Sequence, residues 1–124
     1  MDIEKIQGYS CPIEAFMGVL GGKYKAIIAY ELIGRTLRYS EIARLVPAAT
    51  PRMLSRQLKE LEADGIVHRE MYPVVPPKTE YSLTELGQTL VPLIKGMCDW
   101  GYAYFDLAGV PAPCEGVNPF AEEA

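Results

Sequence analysis

Residues 40–64 read SEIARLVPAATPRMLSRQLKELEAD, and their pattern is the strongest structural signal in the chain. Its first part, 40–46, has the pattern of a short helix that begins with Ser40 as N-cap, because a serine side chain accepts a hydrogen bond from the first turn. Pro47 ends this helix, since a proline inside a helix removes a hydrogen bond and clashes with the preceding turn. The helical pattern begins again a few residues later, so the stretch predicts two helices joined by a short turn.

The second helix of this pair has a strong start signal and one apolar face. Thr50 precedes Pro51, and a threonine N-cap followed by proline at the first helical position is typical of a helix start. The predicted helix covers 51–64 and is closed by Asp64-Gly65. Apolar side chains recur at spacings of four and three and define its buried face: Leu54, Leu58 and Leu61.

After Gly65 the pattern changes from the helix period to the strand period. Residues 66–72 and 79–83 are predicted as the two strands of a β-hairpin around the loop 73–78. The prolines in that loop exclude a tight two-residue turn. A helix pair followed by a hairpin indicates a winged helix-turn-helix, in which the hairpin loop is the wing.

The helix pair and the hairpin lie within one predicted domain that covers residues 11–108. A short polar arm, 1–10, precedes this domain, and a mobile tail, 109–124, follows it. Further elements are expected as helices at 12–20, 23–33 and 85–108 and as a short strand at 36–39. Thr84 would cap the last helix, and Pro92 would kink it. The expected fold class is α+β and mainly helical, a winged helix-turn-helix with additional N- and C-terminal dimerisation helices.

Basic residues are concentrated in the middle of a chain that is acidic overall. The formal net charge is −4 at pH 7, but residues 23–78 contain ten Lys or Arg and six Asp or Glu. Within residues 35–59 the contrast is sharper, since Glu41 is the only acid beside six basic residues. A basic middle between acidic ends suits a protein that presents one face to a polyanion.

The helix 51–64 carries the candidate DNA-reading face. Its leucines place one side in the core, so the opposite side presents hydrogen-bond donors: Arg52, Ser55, Arg56 and Lys59. An arginine can bond the two major-groove acceptors of guanine, whereas serine and lysine more often hold phosphates. The helix start at Thr50 adds free N–H groups that suit a phosphate, and Ser40 is a further candidate on the preceding helix.

The wing has a less specific signal than the helix. Lys78 in the loop is a candidate DNA contact, and Arg69 on the neighbouring strand is a weaker one. For both residues a solvated surface position is an equally good interpretation. His68 stands alone on the first strand and is interpreted as structural, so no metal site is predicted.

Composition excludes several other classes of protein. No apolar run approaches the roughly 18 residues that span a bilayer, and the first residues are acidic and lack the apolar core of a secretory signal. We therefore expect a cytoplasmic protein without membrane contact. Because the sequence has neither a convergent catalytic set nor a phosphate-binding glycine-rich loop, neither an enzyme nor a cofactor site is expected. A winged-helix module that binds proteins instead of DNA is the alternative.

Six segments match one protein family in order along the chain: CP at 11–12, GGKYK at 21–25, LRYSEI at 37–42, MLSRQLKELEADG at 53–65, YPVVPPKTEYSLT at 72–84 and DWG at 99–101. Over about residues 11–105 the chain resembles the HxlR-type winged-helix regulators, which are relatives of the MarR regulators. The resemblance implies that the helix 51–64 reads the DNA groove and that the loop 73–78 is the wing. It also implies that the first and last helices form the dimer.

The last predicted helix is longer and more apolar than a single domain of this size needs. It is therefore expected to pair with its two-fold mate and with the first helix. The candidate dimer residues are Phe16, Leu90, Ile94, Met97, Trp100 and Tyr104. Two recognition helices would then face successive major grooves about 34 Å apart, matching a roughly palindromic operator. Repression by blocking polymerase is the simplest mechanism, and activation is the alternative.

An inducer is expected at the dimer junction or at a thiol. The candidates for lining a small apolar pocket are Phe16, Tyr30, Trp100 and Tyr104, with core packing as the favoured interpretation. The resemblance implies that some family members use the cysteine matching Cys11 as a redox or electrophile sensor. Cys11 precedes the first helix, whose positive end would favour the reactive thiolate. A resolving thiol would come from Cys98 or Cys114, and a packing role for Cys11 is an equal alternative.

Overall fold

The computed structural model describes residues 1–113 and 119–120. In these residues the helices are α1 (Ile3–Gln7), α2 (Pro12–Leu20), α3 (Lys25–Glu31), α4 (Tyr39–Leu45), α5 (Pro51–Ala63), α6 (Glu85–Gln88) and α7 (Val91–Ala108). The strands are β1 (Leu37–Arg38), β2 (Val67–Tyr72) and β3 (Lys78–Leu83). The α+β, mainly helical fold class predicted from the sequence is confirmed.

The three strands form one antiparallel sheet in the order β1-β3-β2. Tyr81 of β3 lies opposite Leu37 on one side and Arg69 on the other. Because directly opposed residues share a face, Leu37 and Tyr81 are buried on the same side of the sheet, together with Val67 at the base of β2. The hairpin therefore extends from the core at its base towards an exposed loop, which is the geometry of a wing.

The core lies where α3, α4 and α5 pack against this base of the sheet. Its fully buried side chains are large and aliphatic: Ile28, Leu32, Ile42, Leu54, Leu58, Leu61, Ile94 and Val67. The three leucines predicted for the buried face of α5 are all among them. Burial of this face fixes which side of α5 is left for a partner.

The start of α4 differs from the prediction that Ser40 would be its N-cap. Arg38 is the N-cap, and Ser40 is the second residue of the helix. The reason is the side chain of Glu41, whose Oε1 accepts a hydrogen bond of 2.9 Å from the backbone N–H of Arg38. In addition, β1 pairs with β3 up to Arg38, so the extended backbone ends one residue earlier than the sequence suggested.

The last predicted helix is divided into α6 and α7. Thr84 caps only α6, with its Oγ1 accepting a 3.0 Å hydrogen bond from the N–H of Gly87. Gly87 is required there, because a Cβ at this position would collide with the carbonyl oxygen of Ile66. Pro92 lies in the first turn of α7, where its missing N–H has no helical partner to lose. The predicted kink at Pro92 is therefore wrong, and the proline marks a helix start.

The two chain ends also differ in detail from the expected arm and tail. Residues 1–10 contain α1, whose N-cap Asp2 accepts a hydrogen bond from the N–H of Lys5 at 3.1 Å. At the other end Gly109 terminates α7 with a φ of 71°, a left-handed conformation that favours glycine. Cys114, the other candidate for a resolving thiol, lies outside the described residues.

Candidate nucleic-acid interface

Helix α5, the predicted recognition helix, begins where the sequence predicted and is held by three hydrogen bonds. The Oγ1 of Thr50 accepts a hydrogen bond of 3.2 Å from the N–H of Met53, so this side chain caps the helix. Buried Gln57 accepts a hydrogen bond of 2.8 Å from the backbone N–H of Tyr24. The hydroxyl of Tyr24 donates to the carbonyl oxygen of Ala48 in the turn between α4 and α5, at 3.1 Å. These bonds fix both the start of α5 and its rotation about its axis.

The exposed side of α5 carries the basic residues that the sequence placed there. Arg52, Arg56 and Lys59 are all exposed and follow one another at helical spacing. Among the described residues, no salt bridge involves Arg52 or Lys59. Ser55 is half-buried instead, with its Oγ 3.2 Å from the hydroxyl of Tyr39. The helix thus presents two unpaired cations and Arg56 on one exposed face.

Glu60 links this face to the protein interior, a feature that the sequence analysis missed. Its Oε2 lies 2.7 Å from the Nζ of the nearly buried Lys25, and its Oε1 lies 3.3 Å from the Nε of Arg56. The hydrogen bond from Lys25 and the charges of both cations lower the pKa of Glu60 below its usual value. Glu60 is therefore an ionised carboxylate that orients Arg56. The spacing of four residues between Arg56 and Glu60 was a visible signal, but the contact with Lys25 across 35 residues was not.

The wing presents fewer free cations than the helix. The Nζ of Lys78 lies 3.2 Å from Glu80 Oε1 and 4.9 Å from the ring centre of Tyr72, which provides a cation–π contact. Arg69 is exposed on β2 without a salt bridge to any residue that the structure describes. Val75 at the tip of the loop is 99% exposed. Ser40 lies exposed on α4, so the structure places basic or polar candidates on α4, α5 and the wing.

Comparison with known proteins identifies the family. A family model for HxlR-like helix-turn-helix proteins matches residues 19–108. The chain belongs to the HxlR-like helix-turn-helix family. It is thus a transcriptional regulator of the helix-turn-helix type, and the resemblance seen in the sequence is confirmed.

Individual relatives agree with this assignment. The uncharacterised helix-turn-helix-type transcriptional regulator YdeP of Bacillus subtilis (strain 168) is 53% identical over 96 residues, which cover 77% of this chain and 75% of YdeP. The redox regulator HypR in its oxidised form is 54% identical with a TM-score of 0.72, covering 75% of this chain and 96% of HypR. The reduced form of the transcriptional regulator YodB from B. subtilis is 34% identical with a TM-score of 0.66, and the match covers 76% of this chain and 94% of the YodB chain.

The cysteines of this HxlR-like chain lie in different surroundings. Cys11 is exposed and is the N-cap of α2, with its Sγ accepting a hydrogen bond of 3.4 Å from the N–H of Glu14. Cys98 is half-buried in α7, and burial raises the pKa of its thiol above the usual value. In the described part of the chain, no three His, Cys, Asp or Glu side chains are grouped so that they could hold a metal ion.

The candidate dimer residues fall into two groups. Leu90 and Ile94 are buried in the core of the protomer itself, and Phe16 packs against that core. Leu90 and Ile94 are therefore already covered within one protomer, whereas Phe16 is only partly buried and stays a predicted dimer residue. Exposed apolar side chains instead form a stripe at helical spacing along α7: Leu93, Met97, Trp100, Tyr104 and Leu107. Leu93 and Leu107 were missed, although the spacing of three and four residues contained the signal.

The aromatic pair of this stripe is pre-arranged. The rings of Trp100 and Tyr104 stack with centroids 5.1 Å apart, although Trp100 is 68% exposed. Tyr30, which was expected beside them in a ligand pocket, has its ring centroid 6.2 Å from that of Phe120.

None of the described helices is both long and apolar enough to cross a membrane.

Proposed function

We propose that this HxlR-like regulator binds double-stranded DNA in a sequence-specific manner as a homodimer and represses transcription. The observation that carries the proposal is the exposed basic face of α5, where Arg52, Arg56 and Lys59 lie together on a helix whose other side is fully buried. A helix with this arrangement can enter the major groove while its position is fixed by the core.

The proposed roles of the side chains are supported by their positions on α4, α5 and the wing. Arg52 lies in the first turn of α5, and the first residues of a recognition helix contact base edges. Its guanidinium suits the two acceptors of guanine. Lys59, Ser40, Lys78 and Arg69 are assigned to phosphates, which hold the protein in register on the duplex. Thr50 acts through its cap, because its hydroxyl is already used to hold the start of α5.

The stripe on α7 supports the proposed homodimer. Monomeric proteins rarely expose a continuous apolar patch of this kind, whereas dimer interfaces bury one. On the same helix Lys95 and Asp99 form an ion pair of 3.2 Å on a different side, so the exposed stripe is separate from these charges. A two-fold pairing through this face would present two copies of α5 to a palindromic operator, about 34 Å apart.

Replacing Arg52 by alanine should weaken binding to an operator duplex by about 1 to 3 kcal/mol, because one bidentate base contact is lost. The measurement is fluorescence anisotropy with duplexes from the gene's own upstream region, across a salt series. Lys95→Ala is the matched control, since Lys95 is a cation on α7 that lies outside the basic face of α5.

Wild-type binding should fall steeply with salt, as expected when phosphates release counterions. A protein that binds neither the upstream region nor any duplex recovered from a random-sequence selection would contradict the proposed function. In that case the winged-helix fold would serve a protein partner instead.

We also propose that Cys11 is the thiol through which this regulator responds to oxidants or electrophiles, with a small apolar inducer as a further signal. The support is the exposure of Cys11 at a helix start and the likeness to the redox regulator HypR. On brief treatment with iodoacetamide at neutral pH, Cys11 should be alkylated before Cys98, whose raised pKa leaves less thiolate. Mass spectrometry of the digested protein gives the order, and equal labelling would argue against a sensor at Cys11.

A further inference from the structure

Lys25 is a nearly buried cation that contacts α5 from α3. It is the first residue of α3, and only 5% of its surface is exposed. Its stem packs against Gly22, where a Cβ would lie 3.0 Å from the Cδ and Cε of Lys25, closer than ordinary van der Waals contact. A buried ammonium is costly unless it is paired, and Lys25 is paired with Glu60 on α5 at 2.7 Å. Its charge is therefore held in one place beside α5.

Glu60 divides its two carboxylate oxygens between Lys25 and Arg56. Its Oε2 bonds the Nζ of Lys25, and its Oε1 accepts a hydrogen bond of 3.3 Å from the Nε of Arg56. An exposed ion pair with a spacing of four residues is weak by itself, because both long side chains must be ordered to form it. Lys25 has already ordered the carboxylate. The position of this buried lysine thereby limits where the guanidinium of Arg56 can lie.

The guanidinium of Arg56 keeps its two terminal nitrogens available for a ligand. Its side chain is 79% exposed, and in the part of the chain that the structure describes only its Nε has a partner. Guanine offers two acceptors side by side in the major groove, and an arginine bonds both through two N–H groups. A guanidinium held at Nε can donate from its other nitrogens without leaving Glu60. Because it is already oriented, it loses less conformational freedom on binding.

Two hydrogen bonds of the neighbouring Tyr24 hold the start of α3 against α5. Its N–H donates to the Oε1 of Gln57, and its hydroxyl donates to the carbonyl oxygen of Ala48 in the turn before α5. Neither bond involves the side chain of Lys25, and methionine has an unbranched stem that suits the same space. The variant Lys25→Met should therefore remove the ion pair with Glu60 while α5 stays in place.

We propose that Lys25 is a positioning residue for DNA recognition, which through Glu60 holds Arg56 in the orientation that reads one guanine of the operator. Lys25 acts in this way without touching DNA. The orientation of Arg56 in the free protein stands by itself, whereas the base preference rests on the proposed function. Loss of Lys25 should change a base preference at one position, a result that a contribution to stability alone would not give.

NMR of the free protein, labelled with ¹⁵N-arginine, tests the positioning step. The Nε–H signal of Arg56 is assigned by its loss in Arg56→Ala. Lys25→Met should speed the exchange of this N–H with solvent by about 2- to 12-fold, the range expected when a typical hydrogen bond is lost. Glu60→Gln should do the same, because its single acceptor oxygen stays with the buried Lys25. Lys23→Met is the matched control, since it removes an exposed lysine of the same segment, and it should leave the exchange unchanged.

The DNA step compares an operator duplex with duplexes that each differ from it by one base pair. Arg56→Ala should abolish the preference at one position, which for a bidentate contact is about 5- to 150-fold. Lys25→Met and Glu60→Gln should each lose most of the preference at that same position. These two variants change the net charge in opposite directions, so their general affinities for DNA should shift in opposite directions. Lys23→Met should keep the preference.

The positioning step is overturned if the Arg56 Nε–H exchanges at the wild-type rate in a folded Lys25→Met protein, with folding established by circular dichroism. The specificity role is overturned by a preference that Arg56→Ala abolishes and Lys25→Met retains. It is equally refuted if Arg56→Ala weakens all duplexes evenly, because Arg56 then contacts a phosphate. A wild-type protein that binds no duplex fails the proposed function and the specificity role with it, while the exchange rates still decide whether Lys25 positions Arg56.

Discussion

Leu61→Ala should lower the free energy of unfolding by about 2 to 5 kcal/mol, because a fully buried leucine leaves both lost transfer energy and a cavity. Leu61 has no exposed surface and lies on the inner face of α5. It packs in the same core as Ile28 and Ile42, which belong to α3 and α4. Loss of its side chain therefore loosens the helix that carries the basic face. Urea unfolding followed by circular dichroism gives the difference.

Lys59→Ala is the matched control for this prediction, since it shortens an exposed side chain in the same helix. Alanine has a helix propensity at least as good as lysine, so the control should stay within about 0.5 kcal/mol of the wild type. Similar losses in both variants would mean that α5 does not have the buried face described above. The measurements are made without DNA, so they do not depend on the proposed function.

Trp100→Glu should convert the proposed dimer into a monomer and weaken operator binding by about 10² to 10⁴-fold. Trp100 lies at the centre of the apolar stripe on α7, stacked on Tyr104. A carboxylate buried there by a partner subunit would be desolvated without a counter-charge. Two linked DNA-binding domains bind two half-sites much more tightly than one domain binds one, so a monomer loses the advantage of the second half-site. Light scattering at micromolar concentration and an operator titration measure the two effects.

Lys95→Glu tests whether any added acid on α7 has this effect. Lys95 is paired with Asp99 on a different side of the helix, and an exposed pair of this kind contributes little to stability. This variant should remain a dimer with nearly unchanged operator affinity. A wild-type protein that is monomeric in solution, or a dimeric Trp100→Glu protein, would exclude the stripe on α7 as the dimer interface.

The sequence predicted helix ends well where the signal was local and poorly where a neighbouring element decided them. Thr50 and Pro51 both act on the first turn of their own helix, and α5 begins where they indicated. The start of α4 depends on a local contact, from Glu41 to the N–H of Arg38, but also on the pairing of β1 with β3. Such a pairing joins residues far apart in the chain, so Ser40 alone could not reveal it.

Periodicity showed that α7 is amphipathic but not which partner covers each apolar residue. Ile94 and Met97 are three residues apart and both apolar, yet Ile94 is 2% exposed and Met97 is 43% exposed. The difference arises because α7 turns one side to its own core and a second side outward. The apolar spacing along α7 includes both its core-facing side and its exposed side. The sequence analysis therefore assigned residues of both sides to the dimer.

The acidic residues that form ion pairs near the proposed interface could not be predicted for a similar reason. Lys25 and Glu60 belong to different helices, and only the packing of α3 against α5 brings their side chains within 2.7 Å. The ion pair of 3.0 Å between Lys5 of α1 and Asp64 likewise depends on the position of α1, which the sequence assigned to an arm. An ion pair between residues far apart in the chain can be recognised only when the packing of the helices is known.

The carboxylates of Glu60 and Glu80 would have a consequence for how the protein searches a genome in its proposed DNA-binding function. Each holds a cation of the proposed interface, Arg56 or Lys78, so an ordinary phosphate must displace a competitor before it gains that cation. In the proposed complex this competition would shorten the time spent on unrelated DNA, whereas Arg52, which has no salt bridge among the described residues, would contact guanine without such an exchange. Occupancy in the cell depends on the ratio of specific to non-specific binding over about 10⁶ to 10⁹ competing sites. By weakening each non-specific contact with DNA, Glu60 and Glu80 would thus leave more copies of the protein free to occupy the operator.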